Sequence, residues 1–272
     1  MKFAMKTLVA AAAFAAAGMA SATTATLNVG SSVTDFGYTL SDLTGSGTLT
    51  FSSTLIGALN AGKVQVSGVA PATATVVNKT NAATKVVSIS SASAAAPVTS
   101  LTGDYTATSL AVQGVATAGG ALQSAPTANI ATTGGSLQIT NLNVDLTAKK
   151  VYADLTGANG VGTKTHVYLW DVATITGPTT FDLSVVPAGG GVVTSTNTLT
   201  GLTINTAAFN LFAQAMGLTA NGITSLQTVT DFGSIVSTIS VKVTPVPEPS
   251  TYALMGLGMV GMGLVARRRR AK

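Results

Sequence analysis

Apolar and polar residues alternate one by one along many short stretches of this 272-residue chain. Residues two apart in a strand point to the same face, so this period predicts strands with one buried and one solvent-exposed face. Glycine and asparagine separate the runs, as at residues 157–160, 189–191 and 221–222, which is typical of turns. The pattern predicts a mainly β fold whose body is an antiparallel β-sandwich. The alternating stretches are residues 48–51, 63–67, 136–140, 141–146 and 237–243.

A parallel β-solenoid is the alternative fold, because strands rich in threonine and glycine also suit stacked coils. No fixed short period is found in the chain, which favours the sandwich. The pentapeptide Val-Thr-Asp-Phe-Gly occurs at residues 33–37 and 229–233, which favours two related halves within a body over residues 23–244. Residues 88–97 and 116–126 are rich in small side chains and are predicted to be loops or a linker.

Two short helices are predicted among the strands. Ser52 or Ser53 can cap a helix that continues through Asn60. Asn205 or Thr206 can cap a second helix that ends before residue 217, a glycine. Both helices have one apolar face, so we expect them to pack on the sheet.

The charged residues of the body exclude several classes of function. Residues 23–247 hold seven lysines, eight aspartates and no arginine, a net charge of −1. Nucleic-acid binding, which needs clustered cations, is therefore not expected. The chain has no cysteine and a single histidine, His166. No disulfide is therefore expected. No metal site or cofactor is expected either, because zinc sites use three or four ligands, most of them cysteine or histidine.

Candidate ligand-binding residues lie in the alternating stretch 165–171. In a regular strand His166, Tyr168 and Trp170 share one face, and such aromatic rings can stack on sugars. The alternative is an ordinary half-buried aromatic strand. No Gly-x-Ser-x-Gly motif marks a nucleophile, so no catalytic residue and no enzymatic activity are expected. The competing hypothesis is a secreted hydrolase that acts on polysaccharide through aspartate pairs, Asp145 with Asp154 or Asp171 with Asp182.

The N-terminal residues 1–22 have the features of a secretory signal peptide. Lys2 and Lys6 precede an apolar run over residues 8–17. Ala20, Ser21 and Ala22 form an A-x-A cleavage site, so the mature chain is expected to begin at Thr23.

The C-terminal residues 245–272 contain three different blocks in a fixed order. An extended proline-rich block is followed by an apolar block over residues 252–266 and then by a basic cluster. The apolar block predicts a membrane helix, and the arginines predict a cytoplasmic end. The first block is Val246, Pro247, Glu248 and Pro249, and the basic cluster is Arg267, Arg268, Arg269 and Arg270.

This tail resembles the PEP-CTERM sorting signal of Gram-negative bacteria, which is also labelled as an ice-binding protein C-terminal domain. The resemblance implies recognition by exosortase, a membrane protease, at Pro247, Glu248 and Pro249. It implies export across the inner membrane, a transient membrane anchor, and then a cell-surface or extracellular location. Such proteins tend to occur in bacteria that make extracellular polysaccharide. We therefore expect a structural or binding protein of the cell surface or exopolysaccharide, with exopolysaccharide or cell-surface glycans as partners.

Overall fold

The computed structural model describes residues 22–246 and 255–260. Fourteen strands and three short helices make up residues 23–245. In chain order they are β1 (Thr23–Asn28), β2 (Val33–Asp35), β3 (Tyr38–Phe51), α1 (Ser53–Ala61), β4 (Gln65–Val69), β5 (Thr73–Thr80), β6 (Val87–Tyr105), β7 (Ser109–Thr117), β8 (Gly120–Ala125), β9 (Gly135–Asp145), β10 (Lys150–Gly157), β11 (Gly162–Thr176), β12 (Thr180–Asp182), β13 (Gly191–Ile204), α2 (Thr206–Ala215), α3 (Ala220–Gln227) and β14 (Gly233–Pro245).

All of the strand pairs that the structure describes are antiparallel, so the mainly β, antiparallel prediction is confirmed and the parallel solenoid is wrong. Neighbouring strands run in the order β7, β6, β3, β14, β13, β11, β10 and β9. Because β9 also pairs with β7, these eight strands close into one ring. The predicted sandwich of two packed sheets is therefore corrected to a single closed sheet. The inward residues of these strands form one apolar core, in which Leu40, Leu155, Leu202 and Val243 are fully buried. Each such side chain contributes about 1.5–3 kcal/mol through burial.

The segments rich in small residues are strands, so the predicted loops at 88–97 and 116–126 are wrong. Residues 87–105 form β6, and most of 116–126 belongs to β7 and β8. Ala92, Ala94 and Ala96 point inward and are buried. A β-carbon placed on Gly120 would lie 1.9 Å from the carbonyl oxygen of Ile139. Gly120 has no room for a side chain because the backbone of β9 lies against it. Alanine and glycine have a low strand propensity, so the sequence of these strands resembles that of a loop.

The helices α1 and α2 are confirmed at the predicted caps. Ser52 Oγ accepts a hydrogen bond from the amide of Leu55 at 3.0 Å, and Asn205 Oδ1 accepts one from Ala207 at 2.9 Å. The third helix, α3, replaces a turn predicted at residues 221–222. A β-carbon on Gly222 would lie 2.2 Å from the carbonyl oxygen of Ile130, so this glycine serves close packing rather than a turn.

The predicted membrane helix over residues 252–266 is only partly described. Residues 255–260 are helical, and the rest of that segment lies outside the described residues. Within residues 22–246 and 255–260, no helix is both long enough and apolar enough to cross a membrane. The prediction of a membrane helix is therefore unsupported by the structure.

Candidate functional site

The hairpin of β10 and β11 carries the predicted ligand-binding residues. Two irregularities in the pairing of these strands determine which side chains face the core and which face outward. Val151 pairs with Trp170, but the next residue, Tyr152, pairs with Tyr168. Leu169 is therefore an extra residue on β11, a β-bulge that interrupts the alternation of side chains. A second irregularity lies between Ala153 and Leu155, opposite residues 164–167.

The bulge separates Trp170 from the other two predicted residues. Trp170 is 2% exposed and lies in the core, with its ring centroid 6.4 Å from that of Phe232. The expectation that Trp170 shares a face with His166 and Tyr168 is therefore corrected. Tyr152, which the sequence analysis missed, takes its place on the outer face.

Tyr152, His166 and Tyr168 together form a group that we call the aromatic cluster. The rings of Tyr152 and His166 are stacked, with centroids 4.4 Å apart and planes 3° from parallel. The ring centroid of Tyr168 is 5.6 Å from that of Tyr152, and the two planes are tilted by 40°. The ammonium nitrogen of Lys150 is 4.6 Å from the centroid of the Tyr168 ring, within range of a cation–π interaction. His166 is exposed, and both tyrosines are half-buried.

Carboxylates hold the aromatic cluster in place. Asp154 Oδ1 accepts a hydrogen bond from the backbone amide of His166 at 2.9 Å, which fixes a residue whose φ is 51°. Asp154 Oδ2 accepts another from the side-chain amide of Asn141 at 3.0 Å. Asp171 accepts a hydrogen bond from the hydroxyl of Tyr168. The site therefore combines aromatic rings with oriented hydrogen-bonding groups, as sites for polar organic ligands do.

The hydroxyl of Tyr168 is held in its protonated form. Partial burial, the hydrogen bond to Asp171 and the charge of that carboxylate raise the pKa of Tyr168 from 10.0 to about 12. Because the folded pKa exceeds the unfolded one, the stability from this group is fully present below about pH 10. It is lost as the pH rises through about 12.

We expect the Asp171→Ala variant to lower the pKa of Tyr168 toward 10.0, because the hydrogen bond and the negative charge are both removed. The ultraviolet absorbance of phenolate against pH, taken as the difference between each protein and its Tyr168→Phe derivative, measures this pKa. An unchanged pKa in Asp171→Ala would contradict the assigned cause.

The structure does not bring either aspartate pair together. Asp145 pairs with Lys150, and Asp154 lies four residues further along β10, about 13 Å away. Asp171 and Asp182 are separated by β10, β9 and β7, about 19 Å across the strands. Carboxylate pairs that hydrolyse glycosides lie about 5–9.5 Å apart. Hydrogen bonds from Ser184 also lower the pKa of Asp182.

The outer surface of the sheet carries small hydroxyl side chains that begin at Thr174, about 20 Å along β11 from Tyr168. Strand register aligns one residue from each of six neighbouring strands, which lie about 4.8 Å apart. Elsewhere on this face Thr196 and Thr238 share a hydrogen bond of 3.1 Å. We call this aligned set the hydroxyl row: Thr174, Thr200, Ser234, Thr50, Ser93 and Thr75.

The structure places only two of the predicted processing residues. Ala22 is exposed and directly precedes β1. The backbone amide of Val246 donates a hydrogen bond of 2.7 Å to the carbonyl oxygen of Gly37. Ala20, Pro247, Glu248, Pro249 and the arginines at 267–270 lie outside the described residues. Among the residues described, no group of three or more histidine, aspartate or glutamate side chains could hold a metal.

Comparison with known families identifies the tail. Residues 245–270 match the family model of the PEP-CTERM protein-sorting motif, which confirms the resemblance. The chain therefore carries the signal of an exported protein that is targeted for exosortase processing. This signal implies transient membrane anchoring in Gram-negative bacteria.

The body is less informative in such comparisons. No curated protein matches the chain. One solved structure, the heme binding protein HtaB from Corynebacterium glutamicum, aligns with 82% of this chain and 98% of its own. The TM-score is 0.36 and the identity is 13%.

Proposed function

We propose that this chain is a non-enzymatic protein of the cell surface or exopolysaccharide, and that its body binds glycans through the aromatic cluster. The observation that carries the proposal is the stack of Tyr152 and His166 on the outer face, with Asp154 and Asp171 at its sides. The sorting motif delivers the body to the compartment where such glycans are found.

The chemistry of the aromatic cluster suits a sugar. The apolar C–H face of a pyranose packs on an aromatic ring, while its hydroxyls need donors and acceptors at the ring's edge. His166 lies at the exposed end of the stack, and the carboxylates beside it are already oriented by hydrogen bonds. Pre-oriented groups lose little freedom on binding, which favours affinity.

Two further features support a binding role over hydrolysis. The separation of the aspartate pairs argues against the paired carboxylates that glycoside hydrolysis requires. The hydroxyl row adds uncharged donors and acceptors on the same outer face, where a long polysaccharide could make further hydrogen bonds.

We expect the Tyr152→Ala, His166→Ala double variant to bind polysaccharide about tenfold more weakly, since the loss of stacking contacts costs about 1–2 kcal/mol. Retardation in native gels that contain dextran, xylan, alginate or the host's own exopolysaccharide measures the affinity. The control is Thr196→Ala with Thr238→Ala, which removes a hydroxyl pair away from the aromatic cluster. Unchanged retardation of the double variant, or an equal loss in the control, would refute the proposal.

A further inference from the structure

A cleft of about 790 Å³ lies between the end of α1 with β4 and the hairpin of β5 and β6. It is far from the aromatic cluster, on strands that do not contact β11 in the sheet order. Several apolar side chains on its walls are solvent-exposed, and Val87 is 60% exposed. The principal wall residues are Lys63, Gln65 and Val66 on one side and Val76, Val87 and Ile89 on the other.

The strands on the two sides of the cleft have free edges. In the part of the chain that the structure describes, β4 pairs with β8 alone and β5 with β6 alone. The two strands follow each other in the chain and nearly touch at one end, where a β-carbon on Gly68 would lie 2.8 Å from the nitrogen of Ala74. They diverge toward Gln65 and Asn78, which line the cleft. Free edges expose N–H and C=O groups that can pair with an added strand.

The backbone amide and carbonyl of Ile89, on the wall of the cleft, are already bonded. The side-chain amide of Asn60 donates to the carbonyl oxygen of Ile89 at 2.8 Å and accepts from its amide at 2.7 Å. The side chain of Asn60 thus makes the two hydrogen bonds that a neighbouring strand would make to Ile89 of β6. Asn60 therefore blocks β6 at Ile89, whereas β4 and β5 each have a side without a strand partner among the described residues.

The charge around the cleft is positive. Residues 43–103 contain three lysines and neither aspartate nor glutamate. Lys63 lines the cleft, and Lys79 and Lys85 belong to the β5–β6 hairpin. No acidic residue lies among those that line it. An occupant with negative charge is favoured by this arrangement.

We propose that the cleft binds an extended acidic peptide segment of a partner protein. Its backbone pairs with the free edges of β4 and β5, its apolar side chains contact the valines of the walls, and its carboxylates face the lysines. The alternation of apolar and charged side chains along an extended strand matches apolar walls bordered by cations. A polysaccharide lacks the N–H groups that strand pairing requires.

Fluorescence anisotropy with the full-length protein tests this proposal. The probe is a labelled ten-residue peptide in which valine alternates with aspartate, and we expect saturable binding. The matched peptide with lysine in place of aspartate is expected to bind at least about tenfold more weakly, because its charge is reversed. An oligomer of galacturonate, which is anionic without a peptide backbone, is expected to compete poorly.

Two variants locate the binding. Lys63→Glu reverses a charge in the cleft, and Lys164→Glu is its control on β11. Val87→Asp changes an apolar wall residue, and Val192→Asp is its control, since Val192 is 68% exposed on β13. We expect about a tenfold loss for each cleft variant and little change for each control. Equal effects in variant and control, no binding of the acidic peptide, or strong competition by galacturonate would overturn the proposal.

Discussion

The Glu248→Ala variant is expected to lose C-terminal processing, so that a full-length, membrane-attached protein accumulates. Glu248 is the only glutamate in the chain, and it stands between Pro247 and Pro249 within the matched sorting motif. Its carboxylate can form a charge-assisted hydrogen bond or ion pair with the processing enzyme. The prolines reduce the entropy lost when the segment docks. A segment that acted only as a spacer would need the prolines but not the charge.

Immunoblots of membrane and medium fractions from a host that contains exosortase measure this effect. Glu248→Gln is the matched variant, because it keeps the shape of the side chain and removes its charge; we expect it to fail as well. Replacing the four arginines at 267–270 with alanine should give a different defect, in which the tail loses its cytoplasmic anchor. Processing of Glu248→Ala at the normal rate would show that the carboxylate is not recognised.

The Trp170→Ala variant is expected to destabilise the fold by about 3–5 kcal/mol, whereas Tyr168→Ala should cost about 1 kcal/mol or less. The two residues are only two positions apart, but Trp170 lies in the core against Phe232. Its removal leaves a large cavity among side chains that cannot fully collapse. Tyr168 lies on the outer face and contacts solvent.

Urea unfolding followed by circular dichroism measures both free energies of unfolding. Trp170→Phe is a useful third variant, because Trp170 Nε1 is buried without a hydrogen-bond partner among the described residues. Phenylalanine removes that unpaired donor, so we expect it to cost far less than alanine. Similar losses for Trp170→Ala and Tyr168→Ala would contradict the different locations of the two side chains.

Local patterns in the sequence predict much of the fold. Alternation locates parts of five of the fourteen described strands, namely β3, β4, β9, β11 and β14. The capping residues Ser52 and Asn205 locate two helices within one residue. The predictions that are wrong concern residues whose conformation depends on packing against distant parts of the chain. Gly222 resembles a turn residue, but it lies within α3 because Ile130 packs against its backbone. The alanines of β6 resemble a linker, but they are strand residues whose side chains are buried in the core.

The candidate site was predicted only in part, for a similar reason. His166 and Tyr168 lie together, but the bulge at Leu169 turns Trp170 inward. Alternation cannot reveal a bulge, because one extra residue reverses the direction of every side chain beyond it. Tyr152 could have been found, since Val151, Ala153 and Leu155 mark the inner face of β10. Its stacking on His166 depends on the register of two strands, which the sequence does not specify.

The body is folded up to the residue that precedes Pro247 of the sorting motif. Pro245 still pairs with Tyr38, and Val246 is hydrogen-bonded to Gly37. In the sequence, the motif residues 247–249 follow directly on this last bonded residue. An enzyme that reads the motif must work against the end of the body, with almost no spacer. The aromatic cluster lies at the opposite end of the strands, because Trp170 is level with Ile204 whereas Val243 is level with Gly191. The aromatic cluster and the residue at which the tail leaves the body are therefore roughly 40 Å apart along the strands. A body held by its tail keeps the cluster away from its point of attachment.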